Sequence, residues 1–242
     1  MSPKLQDRLV SMHQKLVDLL HLPFRRKLRQ RGLDPFHKVG QEFNQLVSSL
    51  TKPRMLEIGS RNVTGTTLRH LYPNVGEYVG FDIHPGEGVD VVGDAHRLGD
   101  YFPPGHFLVV LAVSTFEHLL FPWKVVLELN KVMRVGGIML VVTHPTWPAH
   151  ELPWDFWRFP KGGFTGLFNS FTGFEIRNCE EGLPALAYSL SDDPPTRGLS
   201  HFLLKQGVSV IAVKTGEYRS DLLKWDLDAA AVTATMYPAP AR

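Results

Sequence analysis

Cysteine is almost absent: Cys179 is the single one in 242 residues. No disulfide can form within the chain, and no cysteine cluster can hold a zinc ion or an iron–sulfur centre. That usage suits a reducing compartment, so a cytoplasmic setting is the expectation. Long apolar runs are also missing, and none approaches the ~20 residues of a membrane span. The hydrophobic residues near the start are spaced rather than continuous, which is the wrong pattern for a signal peptide. Neither sign of charge dominates, the formal net charge being +2. No internal repeat, low-complexity segment, P-loop or readable Ser-His-Asp arrangement occurs. His144 and His150 lack paired helical spacing and no acid–histidine cluster follows a known pattern, so no metal is expected.

The charge is unevenly spread. Residues 1–40 carry nine Lys/Arg against three Asp, and the remainder is net acidic. The excess peaks at Arg25-Arg26-Lys27-Leu28-Arg29-Gln30-Arg31. This run is either a solvated helix end or a patch for anionic lipid, which makes residues 1–31 the candidate for a peripheral membrane contact. No RNA-binding module is visible, and nucleic acid is not the expected partner.

Pro53 to Gly65 is the organising stretch. Arg54-Met55-Leu56-Glu57-Ile58-Gly59 is a short apolar run ending in an acid and a glycine. A polar loop follows, then a helix is expected over Thr66–Leu71, closed by Pro73-Asn74. A glycine there lets a ligand approach the backbone. Tyr78-Val79-Gly80-Phe81-Asp82 reads as a second strand ending in a carboxylate, at about the 20-residue separation of nucleotide-binding α/β folds. Val89 to His96 holds a third strand ending in Gly93-Asp94-Ala95. Phe107–Val113 is a continuous apolar run, as for a parallel strand buried on both faces, and leads into Ser114-Thr115-Phe116-Glu117-His118.

Elsewhere, Leu5, Leu9, Met12, Leu16 and Leu19 recur at helical spacing up to Pro23, which is expected to end that helix. Asp34-Pro35 opens a second helix with Phe36, Val39, Phe43, Leu46 and Leu50 on one face. Pro122 opens a third that Gly136-Gly137 closes, and Ile138–Val142 is a fifth strand. Gly162–Ser170 is expected to form a short helix, and Phe174–Cys179 and Val208–Lys214 a closing antiparallel pair. Pro238-Ala239-Pro240 is expected to fray. The expected architecture is α/β, a doubly wound, Rossmann-like sheet of seven strands with an N-terminal helical extension. The extension is assigned to residues 1–50, the domain to 51–215 and a tail to 216–242.

The acidic strand ends together resemble the class I S-adenosylmethionine (SAM)-dependent methyltransferases, small-molecule type, with Glu-His after strand four. The resemblance covers roughly Leu50 to Val142 well. It implies SAM as cofactor and a role for each matching position. Glu57 organises the loop at the methionine end, and Gly59 is the first glycine of the motif. Ser60 and Arg61 continue that loop, and Asp82 with Ile83 faces the ribose hydroxyls. Asp94 and Ala95 meet the adenine, and Ser114 lies beside the cofactor. The family's further glycines fall here at Arg61 and Val63, so the loop has its own shape. Asn62 is a candidate for the left-handed conformation and Arg61 for the methionine carboxylate of SAM.

Catalytic candidates are His118, His144 and Asp155. The alternative for His118 is packing or loop ordering. The acceptor loop holds Trp147, Trp154 and Trp157, three of the five tryptophans. Trp154, Trp157 and Arg158 are the substrate candidates, for stacking and for an anion. The alternative is an Asp155–Arg158 ion pair inside an aromatic cover. The implied activity is methyl transfer to a small or medium polar acceptor, small-molecule or glycan-type, most simply at oxygen. The competing readings are an RNA-directed methyltransferase and a non-catalytic binding protein on the same scaffold.

Overall fold

The computed structural model describes residues 3–29, 34–63, 65–189, 193–225 and 232. Gln30, Arg31 and the Pro238–Pro240 segment, named above, lie outside the described residues. The chain divides into two compact units, Met1–Asp34 and Pro35–Arg242.

The first unit is one helix, α1 (Pro3–Arg29). It runs through Pro23, where the sequence predicted its end. A proline inside a helix removes one backbone hydrogen bond, and here the helix continues past it for another turn and more. Leu9, Met12, Leu16 and Leu19 are exposed along it. Among the described residues no helix is long and apolar enough to cross a membrane.

The second unit is a seven-stranded sheet in the order β3-β2-β1-β4-β5-β7-β6. The strands are β1 (Arg54–Ile58), β2 (Glu77–Asp82), β3 (Val91–Val92), β4 (Phe107–Val113), β5 (Met133–Thr143), β6 (Phe174–Leu186) and β7 (Leu203–Lys214). The first five are mutually parallel, while β7 runs antiparallel to β5 and β6 antiparallel to β7. The closing antiparallel pair is the one expected, but both strands are longer. Their ladder extends to Leu186 opposite Leu203.

Two cores lie against the opposite faces of the sheet, as strand alternation requires. Helix α3 (Pro122–Val132) contributes Val125, Val126, Leu129 and Val132 to one, with Leu56, Val110 and Met139. Helix α2 (Pro35–Ser48) contributes Val39, Phe43 and Val47 to the other, with Met55, Val109 and Leu140. Burying an aromatic such as Phe43 contributes about 1.5–3 kcal/mol. The division expected at residue 50 is therefore corrected. Helix α2 packs on the sheet, and Glu42 accepts hydrogen bonds from Arg177 at 2.8 Å and Asn178 at 2.7 Å on β6.

The helix predicted after β1 is also absent. Only a 3-10 turn, Arg69–Leu71, forms there. The segment before Pro73 is short and contains Thr66 and Thr67, too little for a costly helix nucleus. Further on, a 3-10 turn (Lys161–Gly163) and the one-turn helix α4 (Phe164–Leu167) stand for the short helix expected over 162–170.

Candidate active site

The parallel strands β1, β2 and β4 end on the same side of the sheet, and a cavity lies beyond their carboxyl ends. Open α/β sheets place ligands there. Its inner wall comes from the strand ends: Gly59 and Arg61 after β1, Asp82 and Ile83 at β2, Asp94 and Ala95 after β3, Ser114 after β4. Its outer wall comes from His118, Leu119 and Leu120, and from Glu151, Trp154 and Phe156 of the loop after β5.

Gly59 has φ +76°, and a Cβ on it would lie 2.1 Å from Thr115 Oγ1. The Thr115 hydroxyl is itself held near two carbonyls, 3.1 Å from Ile58 O and 3.0 Å from Val113 O. A side chain at position 59 therefore meets both backbone strain and a fixed neighbour. The Arg61 and His84 amides donate to Asp82 Oδ2 at 3.2 Å and Oδ1 at 3.0 Å. A carboxylate has about four acceptor sites, so each oxygen keeps capacity for a ligand. The Arg61 guanidinium Nε lies 3.7 Å from Asp82 Oδ1. Asn62 is not left-handed. Its side chain instead accepts from the Gly65 amide and donates to Glu87, each at 2.8 Å. The non-glycine residues that take a positive φ at this site are Ser114 and Glu151, each at 49°.

Asp94 Oδ1 accepts from the His96 amide at 2.9 Å and from His96 Nδ1 at 2.7 Å. The Phe121 amide donates to His96 Nε2 at 3.1 Å, which fixes the proton of the neutral ring on Nδ1. Burial pushes the Asp94 carboxyl up, but the hydrogen bonds from His96 lower it and the net shift is down. Both bonds fall on Oδ1, so Oδ2 can accept from a ligand amine. Glu57 and Ser60, expected at the cofactor, do not line the cavity. Glu57 is buried and accepts from Tyr78 Oη at 2.7 Å. Burial is the main cause of its raised pKa. Ser60 is buried beneath the loop, with no hydrogen bond to its Oγ.

The loop after β5 is stitched over the 3-10 turn Phe116–His118. The Phe156 and Trp157 amides donate to Glu117 O at 2.9 and 3.2 Å, and His118 Nδ1 lies 2.7 Å from Trp154 O. Asp155 does not face the cavity. Arg158 grips it at 2.5 and 2.6 Å, the His150 amide donates to it at 2.9 Å, and its side chain is 2% exposed. The Arg158 guanidinium holds its carboxyl far below the usual carboxylate range. Arg158 is spent in the same way, since its remaining bonds go to the carbonyls of Trp147, Pro148 and Trp157. Trp157 turns into the core, packs on Trp123 with centroids 5.5 Å apart and donates Nε1–H to Leu120 O at 3.2 Å. Asp155, Arg158 and Trp157 are therefore corrected from reactive or substrate-facing groups to the frame of the loop. An i,i+3 carboxylate–guanidinium pair is satisfied internally once the loop closes on itself.

His144 also stands off the cavity. Its Nδ1 lies 3.2 Å from Gln206 O and its Nε2 3.2 Å from Glu117 Oε1, and its ring stacks on Trp147 at 4.6 Å. Of the three catalytic candidates only His118 borders the cavity, and of the substrate candidates only Trp154. Sequence reasoning missed Glu151, Leu119 and Leu120. Thr115 and Phe156 stood inside motifs already singled out, but Glu151 carries no local signal.

A family model described as a methyltransferase domain matches residues 24–182. Among solved structures, the YcgJ protein of Bacillus subtilis superposes with a TM-score of 0.56 at 16% identity, covering 74% of this chain and 99% of that one. A SAM-dependent methyltransferase from Archaeoglobus fulgidus gives a TM-score of 0.52 at 15% identity, covering 80% of this chain and 100% of that one. No curated protein sequence matches the chain significantly. The fold is the Rossmann-like methyltransferase fold. The chain belongs to the methyltransferase-domain family. The donor set suits S-adenosylmethionine as a methyl donor. Asp82 has lone pairs for a diol, Asp94 Oδ2 for an amine, and the bare Cα of Gly59 leaves the backbone approachable.

Proposed function

We propose that the chain methylates an oxygen of a small or medium polar acceptor of the sugar-containing type. SAM, when bound, supplies a methyl group already activated on a sulfonium, so the protein's task is binding, alignment and exclusion of water. The observation that carries the reading is the row of carboxylates at successive strand ends, Asp82 and Asp94, along one wall of the cavity. In this assignment Asp82 takes the ribose hydroxyls, Asp94 and Ala95 the adenine, and Arg61 the methionine carboxylate. Ile83 and Ser114 flank the cofactor.

The outer wall would hold the acceptor. It combines apolar and aromatic faces, Leu119, Leu120, Trp154 and Phe156, with two polar side chains, His118 and Glu151. Such a mixture suits a ring with hydroxyl groups. His118 would hydrogen-bond the acceptor hydroxyl. Its ring is held by the Trp154 carbonyl at Nδ1.

Calorimetric titration with S-adenosylhomocysteine, parent beside Asp82→Ala, tests the cofactor assignment. Parent binding and at least ~10-fold weaker binding by the variant are expected, as for the loss of charged acceptor bonds. Equal affinity would remove Asp82 from the cofactor. Formation of S-adenosylhomocysteine from SAM in a panel of hydroxyl-bearing sugars and nucleoside sugars tests the acceptor class.

A further inference from the structure

In and behind the outer wall stands a cluster of side chains that the cofactor does not use. Glu117 is wholly buried, and only one of its oxygens is satisfied. The Thr143 hydroxyl donates to Oε2 at 2.7 Å. Oε1 makes no aligned hydrogen bond, although His144 Nε2 lies 3.2 Å away. A buried carboxylate needs a positive partner, and here that is either an imidazolium at His144 or a cation shared between Oε1 and Nε2.

Three histidines surround it. Each brings Nδ1 close to a backbone carbonyl: His144 to Gln206 O at 3.2 Å, His118 to Trp154 O at 2.7 Å and His150 to Pro148 O at 3.2 Å. A carbonyl only accepts, so Nδ1 carries the proton and the lone pair of the neutral ring is on Nε2. Metal-bound histidines are oriented in this way, the second nitrogen donating to a carbonyl or carboxylate. Ligand atoms of Glu117, His144 and His150 all lie within 4.8 Å of one another. Those of His118, His150 and Asp155 do as well, but Arg158 already neutralises Asp155. In the first set the carboxylate meets only a histidine, His144 Nε2 at 3.2 Å from Oε1, and no guanidinium or ammonium. Its 3.2 Å approach to His144 Nε2 is close to the ~3.3 Å between two ligands on a tetrahedral ion with ~2.0–2.1 Å bonds. His144 and His150 have no paired helical spacing and Glu117 belongs to a separate segment, which is why no metal cluster was expected from the sequence.

We propose that Glu117, His144 and His150 hold a divalent transition-metal ion, zinc foremost, at the acceptor end of the cavity. Two imidazoles and one carboxylate suit zinc and its transition-metal neighbours over magnesium or calcium. Three protein ligands leave a position open, the mark of a catalytic rather than a structural site. None of the three ligands lines the cavity, but the chain neighbours of Glu117 and His150, His118 and Glu151, do, and that the open position reaches the acceptor space is part of the proposal. The role of the ion rests on the methyltransferase reading above: it binds the acceptor hydroxyl and lowers its pKa. The hydroxyl proton passes to solvent water. The O–C bond forms as the sulfonium C–S bond breaks, and sulfur keeps the electron pair as S-adenosylhomocysteine leaves.

The test uses the untagged full chain, stripped with a chelator and titrated with Zn²⁺, and with Co²⁺ for its visible ligand-field bands. One Zn²⁺ per chain is expected, with much weaker binding of Mg²⁺. His150→Ala and Glu117→Gln should each weaken Zn²⁺ binding by at least ~10-fold and change the Co²⁺ spectrum. S-adenosylhomocysteine affinity should stay unchanged in His150→Ala, whose residue sits on a partly exposed loop and is the safer variant for folding. No Zn²⁺ binding by the stripped parent, or binding that survives His150→Ala undiminished, overturns the proposal. Metal binding without S-adenosylhomocysteine binding upholds the ion site and sinks only the assignment of the cofactor residues.

Discussion

At the inner wall of the cavity, each polar group stands at a strand terminus and keeps bonding capacity in hand. Asp82 is organised by two backbone amides and still has acceptor sites on both oxygens, and Asp94 has spent only one oxygen. Behind the outer wall, the polar groups have turned on one another. Asp155 and Arg158 exhaust each other, the backbone of the loop is pinned to Glu117 O, and the Trp157 indole to Leu120 O. The inner wall is rigid because strands carry it, so its side chains are free for a ligand. The outer wall has no strand beneath much of it, and its charged residues serve as scaffold. Residues of equal chemical promise in the sequence therefore have opposite fates, decided by what holds their backbone.

The sharpest way to break this contrast is at Gly59. Gly59→Ala places a Cβ 2.1 Å from Thr115 Oγ1 at φ +76°. Left-handed strain and overlap together should cost about 2–4 kcal/mol of stability. S-adenosylhomocysteine binding should be lost before stability is, because the loop shifts first. Urea denaturation and calorimetry on the same sample separate the two effects, and a variant that binds like the parent would mean that the loop tolerates a side chain there. Second in size is Arg158→Ala. It leaves the nearly inaccessible Asp155 carboxylate without its main partner. Breaking a buried pair costs about 3–5 kcal/mol, and the quarter-exposed guanidinium lowers the expectation to about 2–3 kcal/mol. If Arg158 were a ligand-binding residue instead, stability would hold and acceptor KM would rise.

The inner wall was the legible part. β1, β2 and β4 announce themselves as short apolar runs ending in Gly59, Asp82 and Ser114, and those signals are local. So is the antiparallel closure, since two β-rich segments follow the last helix-forming stretch. Less legible was anything decided by packing. The apolar face of α2 looks the same whether it meets this sheet or another surface, and only the bonds of Glu42 to β6 show its allegiance. The helix expected after β1 was over-read from its position in the motif, while its own residues argue against it. The acceptor loop gave the Asp155–Arg158 pair as one of two readings, because i,i+3 spacing allows it. Glu117, His144 and His150 could not be grouped at all, since they meet only once the 3-10 turn Phe116–His118, β5 and the loop after it are assembled around Thr143.

The smallest effect belongs to neither wall and sets the scale for both. Glu42 on α2 accepts from Arg177 and Asn178 near the surface, and those bonds hold its carboxyl below the usual range. Arg177 is half exposed, so solvent screens the pair, and Glu42→Gln should cost no more than about 1 kcal/mol. The sign with pH follows from the lowered pKa. The folded protein binds the Glu42 proton less readily than the unfolded chain, whose value is about 4.3. This stabilisation is therefore fully present above that value and disappears as the pH falls through the folded-state pKa. Denaturation midpoints of parent and Glu42→Gln should differ at neutral pH and converge in acid. Coincident curves at every pH would show that the contact does nothing for stability. In that case the burial of Val39, Phe43 and Val47 alone attaches α2 to the sheet.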